Sequence, residues 1–368
     1  MRHVPGIVSH KGNGQNAAMS FFSGPGRGRA WLRCMLAIAV FVVVQSLAAQ
    51  AADGFRFQGL SASTGLLLRN LFQLFLEVLS FAVMGLLFDR QTQPLRAMGL
   101  ARSMAPQTSA LRQFALGAAL GWGMVVALLL PVALSGGLYV HLWITPRAFA
   151  LLAVQLLTLF VATLSNEVVF RGYPFQRLME ATGPGIAVLL SCVLFGWLRW
   201  QAITAMPGSD AAAIWVSVAA AILLSLAYLR TRALWLSWGL HFAWLASMGV
   251  LFGLPLAGET DTASVIQSNA YGQHWLTGGD YGPESAWLTV GVLVGGIWVL
   301  LRMTRQMDWH ARQPVLRPAG IAVEIGHAAP ASVAAAPAKP TAAPPSLVQI
   351  AAYTSAPPSS APKEELPS

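Results

Sequence analysis

The hydrophobic pattern divides the chain into eight apolar runs. They cover residues 31–52, 64–88, 113–138, 148–170, 185–200, 211–229, 233–252 and 286–301. Most approach the roughly 20 residues that carry a helix across a bilayer core at about 1.5 Å per residue. In hydrocarbon an isolated segment satisfies its backbone hydrogen bonds only as a helix. The pattern predicts an all-α, polytopic transmembrane helical bundle of about eight spans over residues 30–305.

Composition strengthens this picture. The chain is 55% hydrophobic and only 10% charged, whereas soluble domains carry about 25% charged residues. That is too little charge to cover a water-facing surface over 368 residues. Net charge is +9, a balance that in a soluble protein would suggest nucleic acid. Here Lys and Arg sit in short segments between apolar runs, where orientation in a membrane explains them. The partner this implies is membrane lipid, not nucleic acid. The two cysteines, Cys34 and Cys192, lie in apolar runs without a CxxC or Cys/His cluster, which supports neither a disulfide framework nor a zinc ribbon.

The charges also set a topology. Arg90, Arg96, Arg102 and Arg112 follow the second run, Arg171 and Arg177 the fourth, Arg230 and Arg232 the sixth, and Arg302 and Arg305 the eighth. The alternate segments are poor in Lys and Arg, and 253–285 carries Glu259, Asp261, Asp280 and Glu284 instead. The alternation predicts both termini in the cytoplasm. Residues 1–29 read as a disordered basic tail and 306–368 as an Ala/Pro-rich disordered tail. The first run reads as a retained span; a cleaved signal peptide is the alternative, with an unusually long basic region before it.

Ionisable residues inside such runs are costly and point to function. Four places qualify. Glu167 and Arg171 are four apart in Asn166-Glu167-Val168-Val169-Phe170-Arg171, share a helix face and can pair. The bland reading is an ion pair that locks a helix contact. Arg199 lies between Trp197 and Trp200, where it can snorkel to the outer interface beside aromatic anchors. His241 stands in the seventh run, either hydrogen-bonded to a neighbouring helix or placed for metal or catalysis. Glu77 can pair with Arg69 or line a polar cavity. A single helix over 148–181, broken at Gly183-Pro184-Gly185, would set Glu167 and Arg199 at similar depth and allow one shared polar site.

These segments resemble the CAAX protease and bacteriocin-processing family, the intramembrane glutamate-type metalloproteases that include prenyl-protein endopeptidases. The family's ordered motifs are E-E-x-x-x-R, F-x-x-x-H and H-x-x-x-N. Here they are matched by Asn166-Glu167-Val168-Val169-Phe170-Arg171, by Phe195-Gly196-Trp197-Leu198-Arg199, and by His241-Phe242-Ala243-Trp244-Leu245. The likeness extends over about 148–285 and includes Phe252-Gly253-Leu254-Pro255 and Gly278-Gly279-Asp280-Tyr281-Gly282-Pro283-Glu284.

The resemblance implies a metal-dependent endopeptidase, with Glu167 and His241 as retained motif residues and Arg171 in support. The departures fall on the chemistry. Asn166 stands at the position of the water-activating Glu, Arg199 at that of a metal-binding His, and Leu245 at that of the Asn. Asn lacks the basicity to take a proton from water. Arg is a permanent cation that repels a metal, and Leu has no lone pair to give one. The expectation is therefore a family-like scaffold with impaired or lost catalysis, without a cofactor, that binds a membrane partner or a lipidated peptide. In this reading Arg199 pairs with Glu167. The alternative is an active endopeptidase for prenylated or membrane-associated peptides, with Glu167 as base and His241 among the ligands of zinc or another divalent metal.

Overall fold

The computed structural model describes residues 26–57, 61–100, 109–204, 211–256, 265–304 and the short strands 315–316 and 322–323. The two expected tails fall almost entirely outside these residues.

Each of the eight apolar runs forms helix. The first three are α1 (Arg27–Phe57), α2 (Ala62–Asp89) and α3 (Ala110–Leu134). The fourth run forms α4 (Pro146–Arg171), which leads into the shorter α5 (Tyr173–Thr182). Then follow α6 (Pro184–Thr204), α7 (Ala212–Thr231), α8 (Trp235–Leu245) and α9 (Trp287–Met303). After Leu245 the chain continues as a π-helix over Ala246–Leu251. Six of these segments are long and apolar enough to cross a membrane; α9 is apolar but shorter. Residue signals start the helices: the Ser61, Ser109 and Thr145 hydroxyls cap α2, α3 and α4 by accepting from an amide three residues on.

The single helix expected over 148–181 is two helices. Gly172 ends α4, where an added Cβ would stand 2.2 Å from the Val168 carbonyl oxygen. Pro174 then opens α5, at the position where a missing amide hydrogen costs nothing. The second break falls at Gly183 (φ 89°), as the Gly-Pro-Gly stretch predicts.

The alternation of charged segments matches the way the ends meet. At the Arg-rich end, Asp89, the last residue of α2, pairs with Arg33 of α1 and, at 3.0 Å, with Arg177 of α5. Gln176 donates to the Ala97 carbonyl at 2.7 Å, and the Leu234 amide to the Gly99 carbonyl at 3.1 Å. At the opposite end, β1 (Leu138–Leu142) pairs antiparallel with β2 (Ile266–Ala270) in the register Leu138↔Ala270. Segments expected on one side of the bilayer thus lie together at one end.

The closest helix crossing is α3 on α8. An added Cβ at Gly117 would stand 2.1 Å from the Leu236 carbonyl, and one at Gly239 would stand 2.1 Å from the Phe114 carbonyl. Lipid chains are as apolar as leucine, so close backbone packing through small residues holds such helices together. One buried cluster gathers Leu128, Leu223, Leu236, Met248 and Leu300. A second, nearer the Arg-rich end, gathers Phe81, Met98, Tyr173 and Tyr228.

Candidate functional site

Helix spacing places Glu167 and Arg171 on one face of α4. Arg171 Nη1 donates to Glu167 Oε1 at 3.2 Å, and the two side chains are 0% and 1% exposed. That face meets α8, where His241 Nδ1 lies 2.9 Å from the same Glu167 oxygen. Aromatic packing fixes the approach. Trp238 Nε1 donates to the Phe160 carbonyl at 3.0 Å, and the Phe160 and Trp238 rings are 4.4 Å apart. A lone membrane histidine is thereby tied to a neighbouring helix, and the tie is one of the residues its motif pairs it with.

Arg199 sits on α6 and turns inward. Trp197 and Trp200 beside it are exposed, as interfacial anchors would be. Its Nε donates to Ser217 Oγ of α7 at 2.9 Å and its Nη1 to the Tyr281 hydroxyl at 2.6 Å. Its Nη2 lies 3.6 Å from Glu284 Oε2, an ion pair beyond hydrogen-bond distance.

The expected Arg199–Glu167 pair is therefore corrected. The expectation came from a straight helix of 34 residues, and the break at Gly172 changes the level of everything beyond it. Phe195, one turn before Arg199, is the residue that meets Arg171, with its ring centre 5.3 Å from the guanidinium carbon. Of the two readings of Glu77, the structure shows polar neighbours and not the pair with Arg69. Gln73 Nε2 donates to its Oε1 at 2.9 Å and the Ser165 hydroxyl to its Oε2 at 2.5 Å, in place of an ion pair with Arg69.

One cavity of about 120 Å³ joins these parts. Arg171 and His241 stand in its wall together with Arg199 and Glu284, and Leu245 and Trp244 add apolar surface. Leu245 is half-buried where α8 passes into the π-helix. Asn166 lies elsewhere: one residue from Glu167 it points about 100° away on the helix, and it is exposed. Among the described residues no three His, Cys, Asp or Glu side chains are grouped to hold a metal ion.

Tyr281, Glu284 and Ser217 are site residues that the sequence did not single out for this role. The segment that brings Tyr281 and Glu284 turns at Gly282 (φ 91°), where an added Cβ would stand 2.4 Å from the Pro255 carbonyl. The signal was a Gly-rich stretch with a carboxylate, Gly278 to Glu284.

Among the described residues, six membrane-length helices and a buried Glu–Arg–His arrangement mark an integral membrane protein. Residues 146–247 match the family model described as Type II CAAX prenyl endopeptidase Rce1-like, and over that segment the chain is Rce1-like. The match spans α4 to the π-helix and takes in Asn166, Glu167, Arg171, Arg199, His241 and Leu245; Tyr281 and Glu284 lie beyond it. No curated protein and no solved structure matches the chain.

Proposed function

We propose that this CAAX-protease-like membrane protein uses its cavity to hold a membrane partner or lipidated peptide and has lost metal-dependent cleavage. The observation that carries this reading is Arg199. It stands at the position of a metal-binding histidine and is anchored in the same cavity as His241 by Ser217, Tyr281 and Glu284.

A catalytic zinc takes three protein ligands and a water. Of the positions that place the metal in this family, His241 alone offers a ligand atom, and its Nδ1 is engaged with Glu167. A second, permanent cation in so small a space opposes a divalent ion electrostatically. On this reading the donor set does not suit a metal. A general base is also wanting. Asn166 cannot take a proton and is exposed, while Glu167 Oε1 is shared by Arg171 and His241. The charge alternation further supports both termini in the cytoplasm, and the resemblance to a bacterial branch of the family supports an inner (plasma) membrane location.

The test is to purify the full chain in nanodiscs, measure bound zinc, and incubate it with a prenylated peptide beside a His241→Ala control. The expected result is far less than one zinc per chain and an intact peptide. Stoichiometric zinc with cleavage that the control abolishes would overturn the proposal.

A further inference from the structure

The ribbon of β1 and β2 carries apolar surface that stays open among the described residues. Its antiparallel register sets Leu138 opposite Ala270, Val140 opposite Ser268 and Leu142 opposite Ile266. Directly opposed residues share a face, and every second residue along a strand returns to it. That face is turned toward the bundle, because Leu138 and Ala270 pack on the core cluster that holds Leu128 and Met248, and Ser268 is buried.

Farther along the same face the contacts run out. Val140 is 50% and Leu142 61% exposed. Ile144 and Phe149, which carry the chain on into α4, are exposed as well. The opposite face holds Tyr139, His141, Gln267 and Asn269, all exposed. The ribbon is therefore amphipathic, with its apolar side facing the way the helices run.

We infer that this ribbon lies in the headgroup layer of the bilayer, with its apolar face on the acyl chains of neighbouring phospholipids and its polar face in water. Three observations name lipid as the occupant. The ribbon begins where α3 ends and leads into α4, so it stands where membrane-length helices leave the hydrocarbon. Exposed Trp200 of α6, Trp215 of α7 and Trp287 of α9 belong to the same end of the bundle, and indole rings collect at that boundary. Residues 138–142 and 266–271 contain no Lys, Arg, Asp or Glu, so no fixed charge on the ribbon selects a charged partner. Tyr139 and Tyr271, with ring centres 5.3 Å apart, add apolar bodies with hydroxyl tips.

Backbone chemistry fixes the depth. Among the described residues β1 has β2 on one side and no strand on the other. An open edge needs water for its backbone groups, which hydrocarbon does not hold. The ribbon therefore rests at the boundary, within the roughly 5–10 Å to which interfacial helices sink. It is also fastened to the bundle: the Ser268 amide donates to the Gly253 carbonyl at 3.0 Å, just past the π-helix. The lipid surface thereby sets the height at which that end of the π-helix is held, whatever the cavity binds.

Nitroxide labels test this in the full chain in phosphatidylcholine nanodiscs. On a Cys34→Ala, Cys192→Ala background, single labels are placed on Val140→Cys, His141→Cys, Leu142→Cys and Gln267→Cys. All four positions are exposed, so the labels spare the core. Oxygen concentrates among acyl chains, whereas a nickel chelate stays in water. Labels at 140 and 142 should lose nickel relaxation and keep oxygen relaxation, while those at 141 and 267 keep nickel relaxation. Hydroxyl-radical footprinting of the unsubstituted chain in the same discs gives a check that no misfolded variant can spoil. Tyr139 and Tyr271 should be oxidised, and Leu142 and Ile144 spared.

Nickel relaxation at all four labels, or oxidation of Leu142, would show a ribbon standing in water and overturn the inference. Loss of nickel relaxation at all four would place the ribbon in hydrocarbon and overturn it equally. Loss of both reagents at 140 and 142 would do the same, since a second copy or another segment of the chain would then cover the face.

Discussion

The two ends of the cavity hold their charges in opposite ways. At one end Glu167, Arg171 and His241 are joined by direct contacts of 2.9 and 3.2 Å, and the carboxylate is 0% exposed. At the other end Arg199 is partly open and its carboxylate partner stands off at 3.6 Å. The first arrangement is made between helices that pack along their length, so its atoms cannot relax without separating α4 from α8. The second depends on a turn that returns to the bundle from outside. The contrast separates charges held by direct helix-to-helix contact from a charge pair that depends on a turn. The residues that match the family, Glu167, Arg171 and His241, are tied directly to one another, while Arg199, one of the three that depart from it, is held by other elements.

The largest effect is expected where the buried pair is cut. Glu167→Ala leaves Arg171 buried without its carboxylate, a loss of about 3–5 kcal/mol. The measurement is thermal unfolding in detergent together with abundance in membranes. A variant with unchanged midpoint and yield would break the comparison, because the inner end would then be as dispensable as the outer.

Next come the helix crossings that position α8. Gly239→Ala sets a methyl group 2.1 Å from the Phe114 carbonyl. Overpacking of this kind costs about 1–3 kcal/mol. The shift of α3 against α8 should appear as a lowered unfolding midpoint and faster proteolysis in detergent.

Asp89→Asn should cost about 1.5–3 kcal/mol, since it weakens charge-assisted bonds to Arg33 and Arg177 at the Arg-rich end. It probes whether α1 is held as part of the bundle, and cysteine crosslinking between α1 and α5 reads that contact directly. Undiminished crosslinking in Asp89→Asn would show that α1 is held by apolar packing alone.

The smallest effect is expected for Glu284→Gln, about 0–1 kcal/mol, because the pair stands beyond hydrogen-bond distance and Ser217 and Tyr281 still hold Arg199. A loss of several kcal/mol there would show the outer end to be as structural as the inner, and would remove the contrast.

The fold was largely legible in the chain. Helices in lipid carry their own hydrogen bonds, so length and apolarity suffice to find them, and every one of the eight runs is helical. Charge alternation was equally readable, because Lys and Arg must sort to the ends of spans. The pairing of Glu167 with Arg171 followed from helical spacing alone.

What the sequence by itself determined was the class of molecule, the order of its helices and the residues that stand where chemistry would be. Tertiary structure alone decided which of those residues meet. Gly172 broke the fourth helix and moved Phe195, not Arg199, onto Arg171. A turn from beyond the seventh run brought Glu284 and Tyr281 to Arg199, 82 residues away in the case of the tyrosine. The physical reason is that helix formation is local and readable from spacing, whereas the partner of a buried charge is chosen among all segments that can reach it. No residue near Arg199 in the chain announces that choice.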